Sequence, residues 1–316
     1  MGYTETDRTG SAGVILAAVD IGTNTLKLTV ANCLKEDTIT VLADRAETVR
    51  LGAGIESSGR IDDERGRRAI DTLKAFEEIG SNLGAVSWVG VATEALRIAD
   101  NGAELLERIA SETRWKISVI SGDEEARLTF VGLRNLLPEV GPAAIVDIGG
   151  GSTEWISVEN QTMLWSKSLA LGSGRLADRY LVADPPGRAA VIEAVEAARI
   201  AFASEIESDR QRVSSLRLSG GNGQYIDQIR ASLRFGDSLD ASVVRRVLDY
   251  LMGATSGEVA ALLNIPQERA RVLPACVAIA IAAIEMTATV DLIAVPSGIR
   301  TGLLRELVAQ SLRPAS

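Results

Sequence analysis

A short strand-like segment occurs twice in this chain, and this repeat constrains the fold more than any other feature. Residues 18–23 read Ala-Val-Asp-Ile-Gly-Thr and residues 145–150 read Ile-Val-Asp-Ile-Gly-Gly, so the copies are 127 residues apart. Each copy is an apolar run that ends in Asp-Ile-Gly and precedes small residues and a second apolar run. The separation is about one domain length. The repeat therefore predicts two duplicated α/β domains that face each other across a cleft.

Alternating strand and helix patterns run through the rest of the 316 residues. Apolar and β-branched runs predict strands over residues 14–20, 27–31, 38–42, 88–92, 116–120, 143–147, 153–158, 162–169, 216–218 and 292–295. Apolar residues at spacings of three or four predict helices over residues 62–83, 103–111, 124–137, 188–206 and 303–312. These alternating patterns agree with the α/β class.

The expected domain boundaries follow from the repeat and from these elements. Residues 1–12 are polar and predict a disordered tail, because they contain no apolar stretch of the kind that a signal peptide needs. We expect the first domain over residues 13–129 and the second over residues 130–300. We expect a C-terminal helix at about residues 301–316 to pack back against the first domain.

Composition excludes several kinds of chemistry and partner. The chain has no histidine, which excludes His-based triads, His-ligated zinc and histidine general bases. Cys33 and Cys276 are far apart and lack metal-ligand spacing, so we expect reduced thiols in a cytoplasmic protein. The net charge of −9 argues against duplex nucleic acid as a partner, although local basic clusters can bind a small polyanion. The longest apolar run, residues 276–284, is shorter than the roughly 18 residues of a membrane span, so we expect no membrane partner.

Two glycine-rich turns follow the repeated strands. In each turn glycine permits a tight bend, and the following backbone N–H groups can form an anion cradle beside a carboxylate that orients water or a metal. Asp147 and Glu154 stand one on each strand of a predicted hairpin and can share one hard cation through waters. The alternative is a pair of Gly-rich β-turns capped by Asp, but the presence of two such loops favours the functional interpretation. The turns are Asp20-Ile21-Gly22-Thr23-Asn24-Thr25 and Asp147-Ile148-Gly149-Gly150-Gly151-Ser152-Thr153-Glu154.

Three other features carry weaker signals. Residues 121–127 open a predicted helix with acidic side chains, which either cap the helix or include a general base for water. Residues 219–223 follow a predicted strand and have the composition of a third anion loop. Arg50, Arg97 and Arg175 occur in short motifs and can bind phosphate oxygens, although each by itself is more typical of a surface arginine.

Taken together, these segments resemble the exopolyphosphatase/guanosine pentaphosphate phosphatase (Ppx/GppA) family of the actin-like phosphotransferase superfamily, in its short two-domain form. The resemblance covers nearly the whole chain, from Leu16 to Leu307. The combination of residues 121–127 with residues 147–154 separates it from sugar kinases and heat-shock ATPases. The fold that the resemblance implies is α/β, with two actin-like (ribonuclease H-like) domains and an interdomain cleft. The matching segments are residues 20–25, 50–52, 92–97, 120–127, 147–154, 168–176, 273–274 and 298–302.

The resemblance also implies an activity and a set of site residues. The family hydrolyses terminal phosphoanhydrides of inorganic polyphosphate, or removes the 5′ γ-phosphate of guanosine pentaphosphate, with Mg²⁺; Mn²⁺ is a second metal to test. The family's catalytic glutamate corresponds to Glu125, and its metal-binding carboxylates to Asp147, Glu154 and Asp20. A homodimer is a further expectation from the resemblance alone. The implied phosphate-binding residues are Gly22, Thr23, Asn24, Thr25, Arg97, Gly149, Gly150, Gly151, Ser152, Gly220 and Gly221.

Some residues depart from the family pattern and keep alternatives open. Glu94 stands where a small or neutral residue is usual, Ile98 replaces an acidic residue, and Asn222 lies in an atypical third loop. The expected function is an exopolyphosphatase in which Glu125 activates water. The alternatives are a guanosine pentaphosphate 5′-phosphohydrolase, a non-catalytic sensor that binds polyphosphate or an alarmone, and an ATP-dependent kinase of the same superfamily.

Overall fold

The computed structural model describes residues 13–35, 38–206, 213–220, 223–287, 291–295 and 298–311. The tail predicted over residues 1–12 lies outside this range. Ten strands and thirteen α-helices are formed by the described residues. The strands are β1 (Val14–Ile21), β2 (Thr25–Lys35), β3 (Thr38–Thr48), β4 (Ser87–Ala92), β5 (Lys116–Val119), β6 (Pro142–Ile148), β7 (Thr153–Glu159), β8 (Thr162–Leu169), β9 (Ser215–Ser219) and β10 (Asp291–Ala294). The helices are α1 (Ile55–Ser58), α2 (Asp63–Asn82), α3 (Glu94–Ile98), α4 (Gly102–Glu112), α5 (Gly122–Leu133), α6 (Ser173–Tyr180), α7 (Arg188–Glu205), α8 (Gly223–Ser232), α9 (Ala241–Gly253), α10 (Ser256–Leu263), α11 (Gln267–Ala270), α12 (Leu273–Thr287) and α13 (Ile299–Ser311).

The chain divides into two compact units. The first comprises the residues up to Ser121 together with those from Gly298 onward, and the second runs from Gly122 to Ser297. The boundary therefore lies earlier than the expected residue 129. The physical reason is that α5 packs against β7 and β8, so this helix belongs to the second unit. Helix α13 packs against β1 and β2 of the first unit.

The first unit contains a five-stranded sheet with the order β3-β2-β1-β4-β5. The three strands β1, β2 and β3 form an antiparallel meander, whereas β4 pairs parallel with β1 and β5 parallel with β4. Alternate residues of β1 point to opposite faces, as in any strand. Val19 and Ile21 pack in the cluster that includes α2, whereas Leu16 and Ala18 pack with Leu304 of α13.

The second unit repeats this arrangement. Its sheet has the order β10-β9-β6-β7-β8, in which β6, β7, β8, β9 and β10 take the places of β1 to β5. The directions of the strands are also the same. Val146 and Ile148 face the large cluster built by α6, α7 and α12, whereas Ala143 and Ile145 face α5. The duplicated topology confirms the predicted pair of duplicated α/β domains.

Helix α12 explains the longest apolar run of the chain. The segment Gln267–Thr287 is the one described helical stretch that is long and apolar enough to cross a membrane, and most of its apolar part is buried inside the protein. It packs against α7 and α9, and also against β6 and β9. A helix covered on several sides by its own unit is apolar all round because it is a core helix.

Most predicted elements are present, with differences at their ends. The helix predicted over residues 62–83 is α2, which begins after Asp62 because that carboxylate accepts hydrogen bonds from the N–H groups of Glu64 and Arg65. The helix predicted over residues 124–137 ends earlier, at Leu133, and a 3₁₀ turn follows over Arg134–Leu136. Pro138 favours an extended conformation at residue 137 and so stops the helical pattern.

Candidate functional site

The two repeated turns have the same backbone geometry. In the first unit, the N–H of Gly22 donates to the carbonyl of Thr25 at 3.2 Å, which closes the turn between β1 and β2. In the second unit, the N–H of Gly149 donates to the carbonyl of Ser152 at 2.9 Å, which closes the turn between β6 and β7. Each turn thus connects a buried strand to its antiparallel neighbour, as the sequence repeat predicted.

Carbonyl groups of the first loop bind the segment that follows β3. The carbonyl of Thr23 accepts from the N–H of Gly52 at 2.9 Å, and that of Asn24 accepts from Val49 and Arg50 at 3.0 and 2.9 Å. In a trans peptide the C=O and the next N–H point in opposite directions. The N–H groups of Asn24 and Thr25 are therefore directed away from this segment, as an anion cradle requires.

In the second loop, too, neighbouring backbone binds the carbonyls, and the N–H groups are directed away from it. The carbonyls of Gly149 and Gly150 accept hydrogen bonds from the first backbone N–H groups of α6, at 2.8–3.2 Å. By the same peptide geometry, the N–H groups of Gly150 and Gly151 are directed away from α6. Gly172 permits this close approach, because a side chain there would collide with the carbonyl of Gly150. Backbone amides aimed together in a glycine-rich turn can bind a phosphate oxygen.

Asp147 and Glu154 are partners in the antiparallel ladder of β6 and β7, so their side chains lie on the same face of the sheet. Both are almost fully buried, with 4% and 1% of their surface exposed. Thr129 of α5 donates its hydroxyl to Asp147 Oδ2 at 2.9 Å, and Ser168 of β8 donates to Glu154 Oε1 at 2.8 Å. The face that carries these carboxylates is the face covered by α5.

The matching positions of the first sheet carry opposite charges. Asp20 pairs with Lys27 in the ladder of β1 and β2, and Lys27 Nζ lies 3.6 Å from Asp20 Oδ2. The other oxygen, Asp20 Oδ1, is buried and accepts no hydrogen bond from the residues that the structure describes. Lys27 thus occupies the register position at which the second unit has Glu154. The first unit has an ion pair where the second unit has two carboxylates.

Helix α5 holds Glu124 and Glu125 in different environments. Glu124 is bound by Arg127 through two hydrogen bonds of 2.8 and 2.7 Å, and this contact lowers the pKa of the Glu124 carboxyl below its usual range. Glu125 is only 6% exposed and lies one helical turn before Thr129, on the same face of the helix. Glu125 is therefore on the side of α5 that reaches Asp147.

Gly220 lies against Asp147, at the end of β9. Its φ of +106° is in a region that L side chains rarely adopt, and a Cβ added there would lie 2.9 Å from Asp147 Oδ1. The predicted third loop continues through Gly221 and Asn222, which lie outside the described residues. The described part of this loop thus lies close to the carboxylate of Asp147.

Arg97 and Glu94 lie on the short helix α3, which starts beside the first loop. The N–H of Thr93, just before α3, donates to the carbonyl of Ile21 at 3.1 Å. Arg97 Nη1 donates to the carbonyl of Ile120 at 2.6 Å, so one nitrogen of the guanidinium is hydrogen-bonded to backbone of the first unit. Glu94 is buried at the start of the helix.

The donor set of the second unit fits a hard divalent cation. Among the described residues, no group of three or more Asp, Glu or Cys side chains forms a complete metal cage. Mg²⁺ does not need one, because it is usually bound by one or two carboxylates together with waters and substrate phosphates. Two facing carboxylates also repel each other, and a cation between them would relieve that repulsion. Asp147 and Glu154 therefore suit Mg²⁺ or Mn²⁺, whose ligands are oxygens.

Sequence reasoning assigned no role to three side chains that the structure places beside the predicted residues, namely Lys27, Thr129 and Ser168. A signal was present for the first two of them. Lys27 follows Asp20 by the same seven residues that separate Asp147 from Glu154. Thr129 follows Glu125 by four residues, which is one helical turn. For Ser168, the ladder register that pairs it with Glu154 depends on a β-bulge that the sequence does not display.

Comparison with known proteins identifies the family. The profile of the Ppx/GppA phosphatase family matches residues 29–311, which is most of the chain. This chain belongs to the Ppx/GppA phosphatase family. Exopolyphosphatase 1 of Mycobacterium leprae is 28% identical over 315 residues, which cover 94% of this chain and 90% of that protein. Exopolyphosphatase 1 of Mycobacterium tuberculosis is 34% identical over 174 residues, which cover 55% of this chain and 51% of that protein. The chain therefore spans about half the length of the M. tuberculosis relative in this match.

Solved structures of Ppx/GppA proteins have the same fold. A crystal structure of an exopolyphosphatase from Cytophaga hutchinsonii superimposes with a TM-score of 0.84 and 24% identity, covering 94% of this chain and 98% of that one. The Aquifex aeolicus member of the Ppx/GppA family superimposes with a TM-score of 0.76 and 24% identity, covering 95% and 99% of the two chains. At these identities the likeness shows the fold, and the roles of individual residues depend on their chemistry in this chain.

Proposed function

We propose that this Ppx/GppA protein is an exopolyphosphatase that releases terminal orthophosphate from inorganic polyphosphate. The observation that carries the proposal is the facing pair Asp147 and Glu154, two buried carboxylates in register beneath the helix that presents Glu125. A glycine-rich loop suited to phosphate lies between the strands that bear the pair. Family membership supports a phosphatase, and relatives named exopolyphosphatase support polyphosphate as the substrate.

In this proposal Glu125 is the general base. It takes a proton from water as the water oxygen forms a bond to the terminal phosphorus. The phosphoanhydride bond on the opposite side breaks, and its electrons go to the shortened polyphosphate. The chain has no histidine, and Glu124 is already bound by Arg127 with a lowered pKa. Glu125 is therefore the better base of the two neighbouring glutamates.

Asp147 and Glu154 would hold the metal, whereas a metal-binding role of Asp20 stays a prediction from the sequence. When bound, Mg²⁺ would offset negative charge on the phosphate oxygens.

Backbone amides of each loop, taken within its own unit, are proposed to bind phosphate oxygens. The loops comprise Gly22–Thr25 and Gly149–Ser152, and their carbonyls are engaged by neighbouring backbone. Amide donors fixed in this way need no reorganisation as charge develops on the transferred phosphoryl group. Arg97 and Gly220 are proposed to contact phosphates as well, together with Gly221, for which no structure is described.

The second candidate function is hydrolysis of the 5′ γ-phosphate of guanosine pentaphosphate. The family description, which names both kinds of phosphatase, favours this candidate over the sensor and the kinase. The chemistry at the terminal phosphate is the same for both substrates. The described loops, which offer backbone amides, recognise phosphate and do not discriminate between the two. A homodimer and a cytoplasmic location remain predictions from the sequence.

One assay separates these functions. Purified protein is incubated with long-chain polyphosphate, guanosine pentaphosphate or ATP, and orthophosphate release is followed with Mg²⁺ and with excess chelator. We expect release from polyphosphate that a chelator abolishes and added Mg²⁺ restores. Release from guanosine pentaphosphate alone would support the second candidate. Binding of either substrate without release would support a sensor.

A matched pair of variants tests the metal residues in the same assay. Asp147→Asn removes one charge from the facing pair and keeps the size of the side chain. Asp227→Asn makes the same change at a half-exposed residue of α8 that pairs with Arg230. We expect Asp147→Asn to lose activity and Asp227→Asn to keep it. Equal activity of the two variants would contradict a role for Asp147.

A further inference from the structure

Thr129 is a buried hydroxyl that the proposed reaction does not yet use. The residue is fully buried in the interior of α5, and its Oγ1 lies 2.9 Å from Asp147 Oδ2. A helical threonine commonly donates its hydroxyl to a carbonyl of the preceding turn. Its one proton is instead directed here to a carboxylate on another element, because a carboxylate can only accept. The bond therefore joins α5 to β6.

The two oxygens of Asp147 lie in different surroundings. Oδ2 accepts the hydrogen bond from Thr129, whereas Oδ1 is near Gly220, where an added Cβ would lie 2.9 Å from it. Rotation of the carboxylate would break the hydrogen bond from Thr129. The orientation of Asp147 thus depends on α5 as well as on its own strand.

Thr129 also connects Asp147 with Glu125. The two residues of α5 are one turn apart and share a face, at a typical Cβ separation of about 6 Å. A hydrogen bond from this face to Asp147 limits how far the helix can shift along the sheet. The position of Glu125 relative to the carboxylate pair is therefore coupled to the same hydroxyl.

We propose that Thr129 is a positioning residue, which holds Asp147 in the orientation needed for a divalent cation and fixes the helix that carries Glu125. The inference rests on the proposed function for its consequence in turnover, but its effect on metal binding is independent of the substrate. Residues that hydrogen-bond to a metal-binding group typically change metal affinity or activity by about 10- to 100-fold when removed.

The test compares three substitutions in the full chain by calorimetric titration with Mg²⁺ and Mn²⁺. Thr129→Val keeps the shape and removes the hydroxyl, and we expect it to weaken metal affinity by about 10- to 100-fold. Thr129→Ser keeps the hydroxyl, and we expect affinity within about threefold of the unmodified chain. Thr287→Val is the matched control, because Thr287 is equally buried in the second unit but donates within its own helix. We expect the control to leave metal affinity unchanged.

Orthophosphate release at saturating metal supplies a second measurement. We expect Thr129→Val to lower kcat with little change in KM for polyphosphate, because Glu125 is displaced while the phosphate loops stay in place. Thr129→Ser should restore kcat. If Thr129→Val does not fold, Thr129→Ala replaces it in every measurement.

Distinct results separate failure of this inference from failure of the proposed function. Suppose that Thr129→Val weakens metal binding and that the unmodified chain does not hydrolyse polyphosphate. That result would support the positioning role and refute the exopolyphosphatase. Unchanged metal affinity in Thr129→Val would overturn the positioning role even if the thermal midpoint falls, since the hydroxyl would then contribute stability alone. Equal losses of affinity in Thr129→Val and Thr287→Val would also overturn it, because the loss would reflect a general effect on the second unit.

Discussion

Two neighbouring glutamates on α5 allow a stringent test of the general base. Glu125→Gln and Glu124→Gln make the same chemical change at adjacent positions in the first turn of one helix. Glutamine keeps the size of glutamate but cannot accept a proton from water at neutral pH. We expect turnover of polyphosphate to be lost in Glu125→Gln and retained in Glu124→Gln.

The expected magnitudes follow from the two environments. Loss of a general base lowers the rate by about 10²- to 10⁴-fold, which corresponds to about 2.7–5.5 kcal/mol of transition-state stabilisation. Both substitutions remove a negative charge from a helix N-terminus, a change of about 0.3–1 kcal/mol in stability. Glu124→Gln also breaks the ion pair with Arg127, but both side chains are about 40% exposed, where such pairs contribute about 1 kcal/mol or less. The two variants should therefore have similar stability and very different kcat.

The assay measures kcat and KM for polyphosphate together with the thermal midpoint of each variant. Substrate affinity of Glu125→Gln, measured by direct binding, should stay close to that of the unmodified chain, because the proposed phosphate contacts are elsewhere. A Glu125→Gln variant that keeps most of the kcat would refute the assignment of the base. A loss of kcat in Glu124→Gln as large as that in Glu125→Gln would show that the helix terminus as a whole matters.

Three further outcomes are expected. Gly220→Ala should lower the thermal midpoint and abolish phosphate release, because its positive φ costs about 1–3 kcal/mol for an L residue and its Cβ would contact Asp147. Arg97→Ala should raise KM for polyphosphate through lost phosphate contacts; an unchanged KM would place the polyanion elsewhere. Cys33 and Cys276 should not react with a thiol reagent in the folded protein at pH 8, because burial raises their pKa values to about 11 and about 12; rapid labelling without denaturant would contradict this.

The architecture was predictable because one short contiguous motif occurs in each half of the chain. The Asp-Ile-Gly repeat at residues 20–22 and 147–149 marks the same strand–turn–strand unit in both halves, and the structure has the same strand order in each sheet. Helices such as α2 and α7 were predictable from their periodic apolar faces. Helix α12 was not predicted as a core helix, because it is apolar on all sides and has no periodicity to detect.

The chemical character of the candidate site was also largely present in the sequence. Absence of histidine directed attention to carboxylates, and the motif positions directed it to Asp147, Glu154 and Glu125. The sequence could not distinguish Glu124 from Glu125 on chemical grounds, since both precede the same arginine. The structure makes the distinction: Arg127 binds Glu124, and the helix turns Glu125 toward the buried side.

The sequence by itself thus determined the duplicated strand–turn–strand framework and the acidic, histidine-free chemistry of its turns, because both are written in short contiguous segments. Tertiary structure alone decided the contacts between segments far apart in the chain. Thr129 reaches Asp147 across 18 residues, and Ser168 reaches Glu154 across 14. These contacts depend on ladder register and on the packing of α5 over one face of the sheet. Register and packing are set by the whole unit at once, and no local pattern specifies them.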